Sequence, residues 1–306
     1  ARYLMDTLTW DIRNADSDGC TQSTGVNTSG YFESGSDRVQ SDGVVDLREM
    51  PANWTIPSDA SVVGWEYQGS SPGDQFDLTA LEDAATDQWN NVVSGVDLPP
   101  QMNTGWMLAG SDVLVIKTAR PIDMNGVSIT NSGGNQVGLS DASGIEAGTV
   151  IELMAPDCHQ GYRFVKGNNA NATSISVDGK ANVASASIND PKVNTEDALL
   201  LETQSWVYFV GQNPNNGAQG LFRQDLASPS SIDDPEMVLP GVESLQLLFG
   251  IQAGSGPVEY VSANDGAISQ WSDVVSVRAG FVESSDPRIR TEPNQTSHGV
   301  LGTEIT

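Results

Sequence analysis

Residues 199–212 read LLLETQSWVYFVGQ, and the apolar signal that starts there recurs down the rest of the chain. GLFRQDL follows at 220–226, VLPGVESLQLLFGI at 238–251, EYVSA at 259–263 and WSDVVSVRAGFVES at 271–284. Short apolar runs separated by stretches containing Asn, Gly and Pro are the pattern of strands joined by turns. In the last run Val275, Val277, Ala279 and Phe281 fall on one face of a strand, with Ser276, Arg278 and Gly280 on the other. That is a period of two. VYFVGQNPNNGAQGLFRQ has the shape of a hairpin with a long Asn- and Gly-rich loop. An antiparallel meander over about 200–284 is the expectation.

Strand signals continue upstream. In SDVLVIKTARPI (111–122) the unbroken apolar run Val113 to Ile116 predicts a central strand covered on both faces, which Pro121 brings to an end. GTVIELMAPDCHQGYRFVKG (148–167) predicts strands at Val150 to Met154 and Tyr162 to Val165, joined through the PDCHQG turn. VVGWEYQG (62–69) alternates Val63, Trp65 and Tyr67 with Gly64, Glu66 and Gln68, the pattern of a half-buried strand. LTALEDAATDQW (78–89) predicts a short helix, with Thr79 and Glu82 spaced as in a capping box. The polar stretch 167–195 predicts an exposed excursion or weak edge strands, its Ser174-Ile175-Ser176-Val177 alternation favouring strands.

The chain begins with ARYLMDTLTWDIRNAD, where Leu4, Leu8 and Ile12 recur every four residues, flanked by Met5 and Ala15. This is one apolar stripe on a helix. The stripe is running at the first turn with no capping residue ahead of it, so a helix cut in its interior is expected. The predicted class is α+β: a truncated N-terminal helix packed on a β-rich globular region of mainly antiparallel sheets. The expected organisation is 1–18 helix, 19–197 β-rich region with long loops, and 198–306 antiparallel sheet and tail. The last two regions are read as separate lobes or as one continuous globule.

Composition narrows the function. Against 14 Lys and Arg stand 40 Asp and Glu, a formal net charge of -26. Such a surface repels nucleic acid and anionic lipid headgroups. No run of 18 apolar residues is present, so nothing in this sequence reads as a membrane span. The two cysteines, Cys20 and Cys158, suggest a disulfide in a chain of secreted character; two unrelated buried thiols are the alternative.

Catalytic chemistry is sparse. Only His159 and His298 are available as histidines, and neither has partners at zinc spacing. No nucleophile elbow, P-loop or zinc-protease helix occurs. A secreted hydrolase or a glycosidase would need paired carboxylates in a cleft, with Trp54, Trp65, Trp89, Trp106, Trp206 or Trp271 stacked on sugars. Core packing is the better account of tryptophans inside strand patterns. Asp16 with Asp18, and Asp233, Asp234 and Glu236, resemble fragments of calcium loops without completing one, so calcium is the one cofactor left as an option. No enzymatic activity and no catalytic or cofactor-binding residue is expected.

Taken in order, several segments resemble a PilW-type minor pilin of type IV pilus systems. They are LTWDIRNADSDGC (8–20), GSDVLVIKTA (110–119), GTVIELMAPDCHQGYRF (148–164), GLFRQ (220–224), VLPGVESLQLLFGI (238–251), EYVSA (259–263) and WSDVVSVRAGFVESS (271–285). The resemblance implies a noncatalytic subunit that primes pilus assembly with other minor pilins and lies at the fibre tip. It also implies a hydrophobic first half of the helix in the bacterial inner membrane and a periplasmic globule that becomes extracellular with the pilus. The related J-type pseudopilins of type II secretion are an alternative, and a calcium- or glycan-binding adhesin module is another. Under this resemblance Leu4, Leu8 and Ile12 pack the helix on the globule and Cys20 with Cys158 form the family disulfide. The opposite helix side meets other pilins, the major pilin among them.

Overall fold

The computed structural model describes residues 2–15, 43–46, 60–78, 86–93, 96–100, 102–122, 128–133, 136–156, 160–177, 197–226, 234–252, 256–284 and 297–306. One helix, α1 (Arg2–Asn14), precedes a series of strands. In the first half these are β1 (Gly43–Asp46), β2 (Val62–Tyr67), β3 (Gln75–Phe76), β4 (Trp89–Asn90), β5 (Val113–Pro121), β6 (Ile129–Gly133), β7 (Gln136–Leu139), β8 (Val150–Met154), β9 (Gln160–Val165) and β10 (Ser174–Ser176). The second half adds β11 (Leu199–Gln212), β12 (Gln219–Asp225), β13 (Glu236–Pro240), β14 (Val242–Ile251), β15 (Glu259–Val261), β16 (Val274–Glu283), β17 (His298–Val300) and β18 (Thr303–Ile305). The architecture is α+β, with one short helix on a largely antiparallel β-rich body.

The stretch 199–212 organises the molecule. At 14 residues β11 is long enough to take two neighbours along one edge, β8 against its first residues and β12 against its last, while β5 pairs along the other edge from Leu201 to Tyr208. The main sheet therefore runs β1-β9-β8-β11-β5-β2-β4, with β12 and β13 added beside β11. It draws strands from both 19–197 and 198–306. Val113, Leu114, Val115 and Ile116 of β5 are completely buried, as their apolar run requires of a strand with both faces covered. Parallel pairing among the described strands is confined to β1 with β9 and β18 with β3.

The expected meander over 200–284 divides in two. The β11-β12-β13 succession is antiparallel and continuous, but after Pro240 the chain turns at Gly241, whose φ of +76° suits glycine. It then starts a separate sheet, β15-β14-β16, that packs across the first. This packing also corrects the reading of β2 as half-buried: all six of its residues are buried. The Gly64 side of β2 lies under Phe249 of β14, so closely that a Cβ at Gly64 would sit 2.1 Å from the ring.

Other departures are local. Val275 is 58 % exposed and does not share the inward face with Val277, Ala279 and Phe281. The ladder steps from the Ile251–Val274 pair to Gly250–Ser276, leaving Val275 as the extra residue of a bulge. Of the helix expected over 78–89, residues 79–85 lie outside the described ones; Thr86–Gln88 form a 3-10 turn and Trp89 enters β4. In the polar stretch, β10 pairs with β7, and Ile175 is completely buried in a satellite sheet β10-β7-β6. No signal in the sequence marked β6 and β7.

Candidate functional site

Helix α1 meets the body through four positions spaced at helical period. Leu8 is 2 % exposed within the main core, and Ile12 and Ala15 pack against the same cluster. Between them Asp11 is buried as well. Its carboxylate accepts a hydrogen bond from the hydroxyl of Tyr208, a completely buried residue at the centre of β11. Burial raises the Asp11 pKa above the ordinary carboxylate range, against the pull of the Tyr208 hydrogen bond and the Arg223 charge. Tyr208 is raised in turn, by burial first and then by the carboxylate.

The junction continues across the sheet. Arg223 of β12 lies directly opposite Tyr208 in the ladder. Its guanidinium rests 4.3 Å from the centre of the Trp206 ring and bonds Glu236 of β13 at 2.9 Å. One polar line thus links α1, β11, β12 and β13. The Arg223–Glu236 pair is largely solvated, so the buried Asp11–Tyr208 bond is the stronger tie. On the far side of the helix Trp10 is 59 % exposed, while its carbonyl accepts a 2.7 Å hydrogen bond from Asn14. A helix side carrying a large exposed aromatic is suited to a protein contact.

The residues singled out from sequence fall as follows. Leu8 and Ile12 lie at this junction; the Leu4 backbone is in α1 and its side chain is outside the described set. Cys20, Cys158 and His159 are also outside it, as are Asp16, Asp18, Asp233 and Trp54. His298 is in β17, paired with Ile305. Trp65, Trp89 and Trp271 are buried, their ring N–H groups donating to the Val96 carbonyl, the Ser111 carbonyl and the Asn91 side chain. Trp106 stands edge-on to Phe222. Trp65, Trp89 and Trp271 are thus core residues, enclosed and hydrogen-bonded.

Asp11, Tyr208 and Arg223 escaped the sequence reading; Glu236, read there as part of a calcium-loop fragment, pairs with Arg223. The available signal was Asp11 itself, an acid three residues after Leu8 and one before Ile12, inside the apolar stripe. Among the described residues no group of three or more His, Cys, Asp or Glu side chains is arranged to hold a metal ion. No helix among them is long and apolar enough to cross a membrane.

The family described as Type IV Pilus-assembly protein W matches residues 207–306. The PilW match begins at Val207, one residue before Tyr208, and takes in β12 to β18. It therefore includes the sheet side of the junction and the whole of the β15-β14-β16 sheet. It covers the C-terminal third of the chain and makes this part PilW-like. No curated protein and no solved structure matches the chain.

Proposed function

We propose that this protein is a noncatalytic minor pilin of the PilW type that primes type IV pilus assembly together with other minor pilins. The observation that supports this reading is the PilW match over a segment that includes Tyr208, the residue to which α1 is hydrogen-bonded. A helix fixed to a β-rich body by both apolar contacts and a buried hydrogen bond moves with that body as one piece. Force and position are then transmitted between a helical bundle and the globule. In this reading Leu4, Leu8 and Ile12 form the packing stripe, and the Trp10 side of α1 meets neighbouring pilins, the major pilin included. A hydrophobic helix extension anchors the full-length protein in the inner membrane, with the globule in the periplasm until assembly carries it to the fibre tip. Cys20 and Cys158 form a disulfide in that oxidising compartment.

Deletion of the gene in the native cell tests this role. Loss of surface pili, restored by the wild-type gene, is expected. Normal piliation with a defect in secretion of folded proteins would place the chain among the J-type pseudopilins of type II secretion. Normal piliation with lost attachment to a calcium-dependent or glycan ligand would make it an adhesin module.

A further inference from the structure

Two carboxylates are enclosed where the main sheet meets the β15-β14-β16 sheet. Asp112, immediately before β5, and Glu66 of β2 lie one step beyond the Trp65–Val113 pair in the antiparallel ladder, so they face each other across the strands. Both are 1 % exposed. Asp112 is a tie between sheets: its Oδ1 accepts the Tyr67 amide at 3.1 Å and its Oδ2 the Leu247 amide at 2.7 Å, while its own amide donates to the Leu245 carbonyl at 2.8 Å. The residues before it extend the seam. Ser244 and Gln246 donate to the Gly110 carbonyl, and the Leu245 amide donates to the Ser111 hydroxyl.

Glu66 is different. Neither of its oxygens has a hydrogen-bond partner of good geometry, and the polar groups that act on it are the Ser71 hydroxyl and the Ala263 amide. The charged groups acting on it are Asp112 across the ladder and Asp74 of the β2–β3 loop, both acidic. From β14 the facing residues Leu245, Leu247 and Phe249 bring no charge, and the nearby Asp273 is engaged by Ser269 and Gln270 in solvent. A buried carboxylate with only these two poorly aligned donors, opposite a second carboxylate and with no cation among the described residues acting on it, favours its neutral form. Burial raises the Asp112 pKa as well, but the Tyr67 and Leu247 amides aimed at its two oxygens pull against that rise, so Asp112 is the member of the pair better suited to carry the charge.

We propose that the Glu66–Asp112 pair holds one proton, on Glu66, and that this proton fastens the β15-β14-β16 sheet to the main sheet. Dissociation to solvent leaves two negative charges facing each other in the seam. The Leu247–Asp112 and Tyr67–Asp112 bonds then lie in the path of their repulsion, and the C-terminal sheet loosens. The device is a pH-dependent fastener that ties the PilW-matching β15-β14-β16 sheet to residues outside the match, and it is independent of whether the protein primes pili.

The direct test is a pH titration of the intact chain by NMR from pH 5 to 10, read at the Tyr67 and Leu247 amides, with thermal unfolding in parallel. The two amides are expected to shift together with a midpoint above pH 7, and their hydrogen-exchange protection to fall through the same range. The wild-type Tm is expected to drop by roughly 5 °C or more from pH 6 to 9. Glu66→Gln should remove most of that slope, whereas the exposed control Glu259→Gln, with the same change in charge, should keep it. If the amides do not titrate, or if the two variants share one slope, the proposal fails. A rise in Tm with millimolar calcium in the wild type and not in Glu66→Gln would also overturn it, because the pair would then hold a cation.

Discussion

Asp11 and Tyr208 tie the helix to the sheet through a contact in which each is buried and each is the other's partner. Tyr208→Phe keeps the ring and removes the hydroxyl, leaving a buried carboxylate without its donor. Chemical denaturation should show a loss of about 1–3 kcal/mol. Asp11→Asn retains an acceptor and should cost less, so the double variant should fall short of the sum of the two. Gly64 sets a second residue-scale constraint. Its absent Cβ is the space occupied by the buried Phe249 ring, and Gly64→Ala should destabilise by about 1–3 kcal/mol through overpacking. Neither contact was legible in the sequence. An acid within an apolar stripe, or a glycine within a strand, acquires its meaning only when the opposing element is known.

At the scale of elements, more was legible. The unbroken apolar runs gave β5, β8 and β9 nearly to the residue, and the period of four gave α1. Alternation misled at β2 because Gly64 and Glu66 look like a solvent side, whereas a second sheet covers them. It misled at β16 only for Val275, which a bulge leaves outside the alternation that Val277, Ala279 and Phe281 keep. The strands β6 and β7 are short and carry little apolar content, so their pairing rests on the burial of Val137 and Ile175 beneath a neighbouring layer. The seating of α1 makes its own prediction. Leu8→Ala opens a cavity beneath the helix and should lower stability by about 2–5 kcal/mol, with protease cutting near the helix rising before global unfolding. If Cys20 and Cys158 are joined, intact mass should fall short of the reduced form by two hydrogens. Reduction should then cost about 2–4 kcal/mol.

The whole molecule is held together by β11, whose partners come from distant parts of the chain. The PilW-matching segment 207–306 begins partway along that strand and lacks β5, which pairs with it, and β2, which packs against Phe249 of β14. Expressed alone it should remain largely unfolded, as circular dichroism and amide dispersion would report, because its apolar faces have nothing to bury against. The likeness to PilW was legible at this scale only as an ordered set of weak segments, of which those after 207 fall within the family match. The composition argued against nucleic acid, while the sparse catalytic residues argued against an enzyme, and neither feature names an assembly role.

That role is tested most directly by site-specific photo-cross-linking from position 10 of α1 in the full-length protein, in the native envelope during pilus assembly. Adducts with other minor pilins or the major pilin, absent when the cross-linker replaces the buried Leu8, are the predicted result. Adducts with no pilin subunit, in cells that assemble pili normally, would contradict the account.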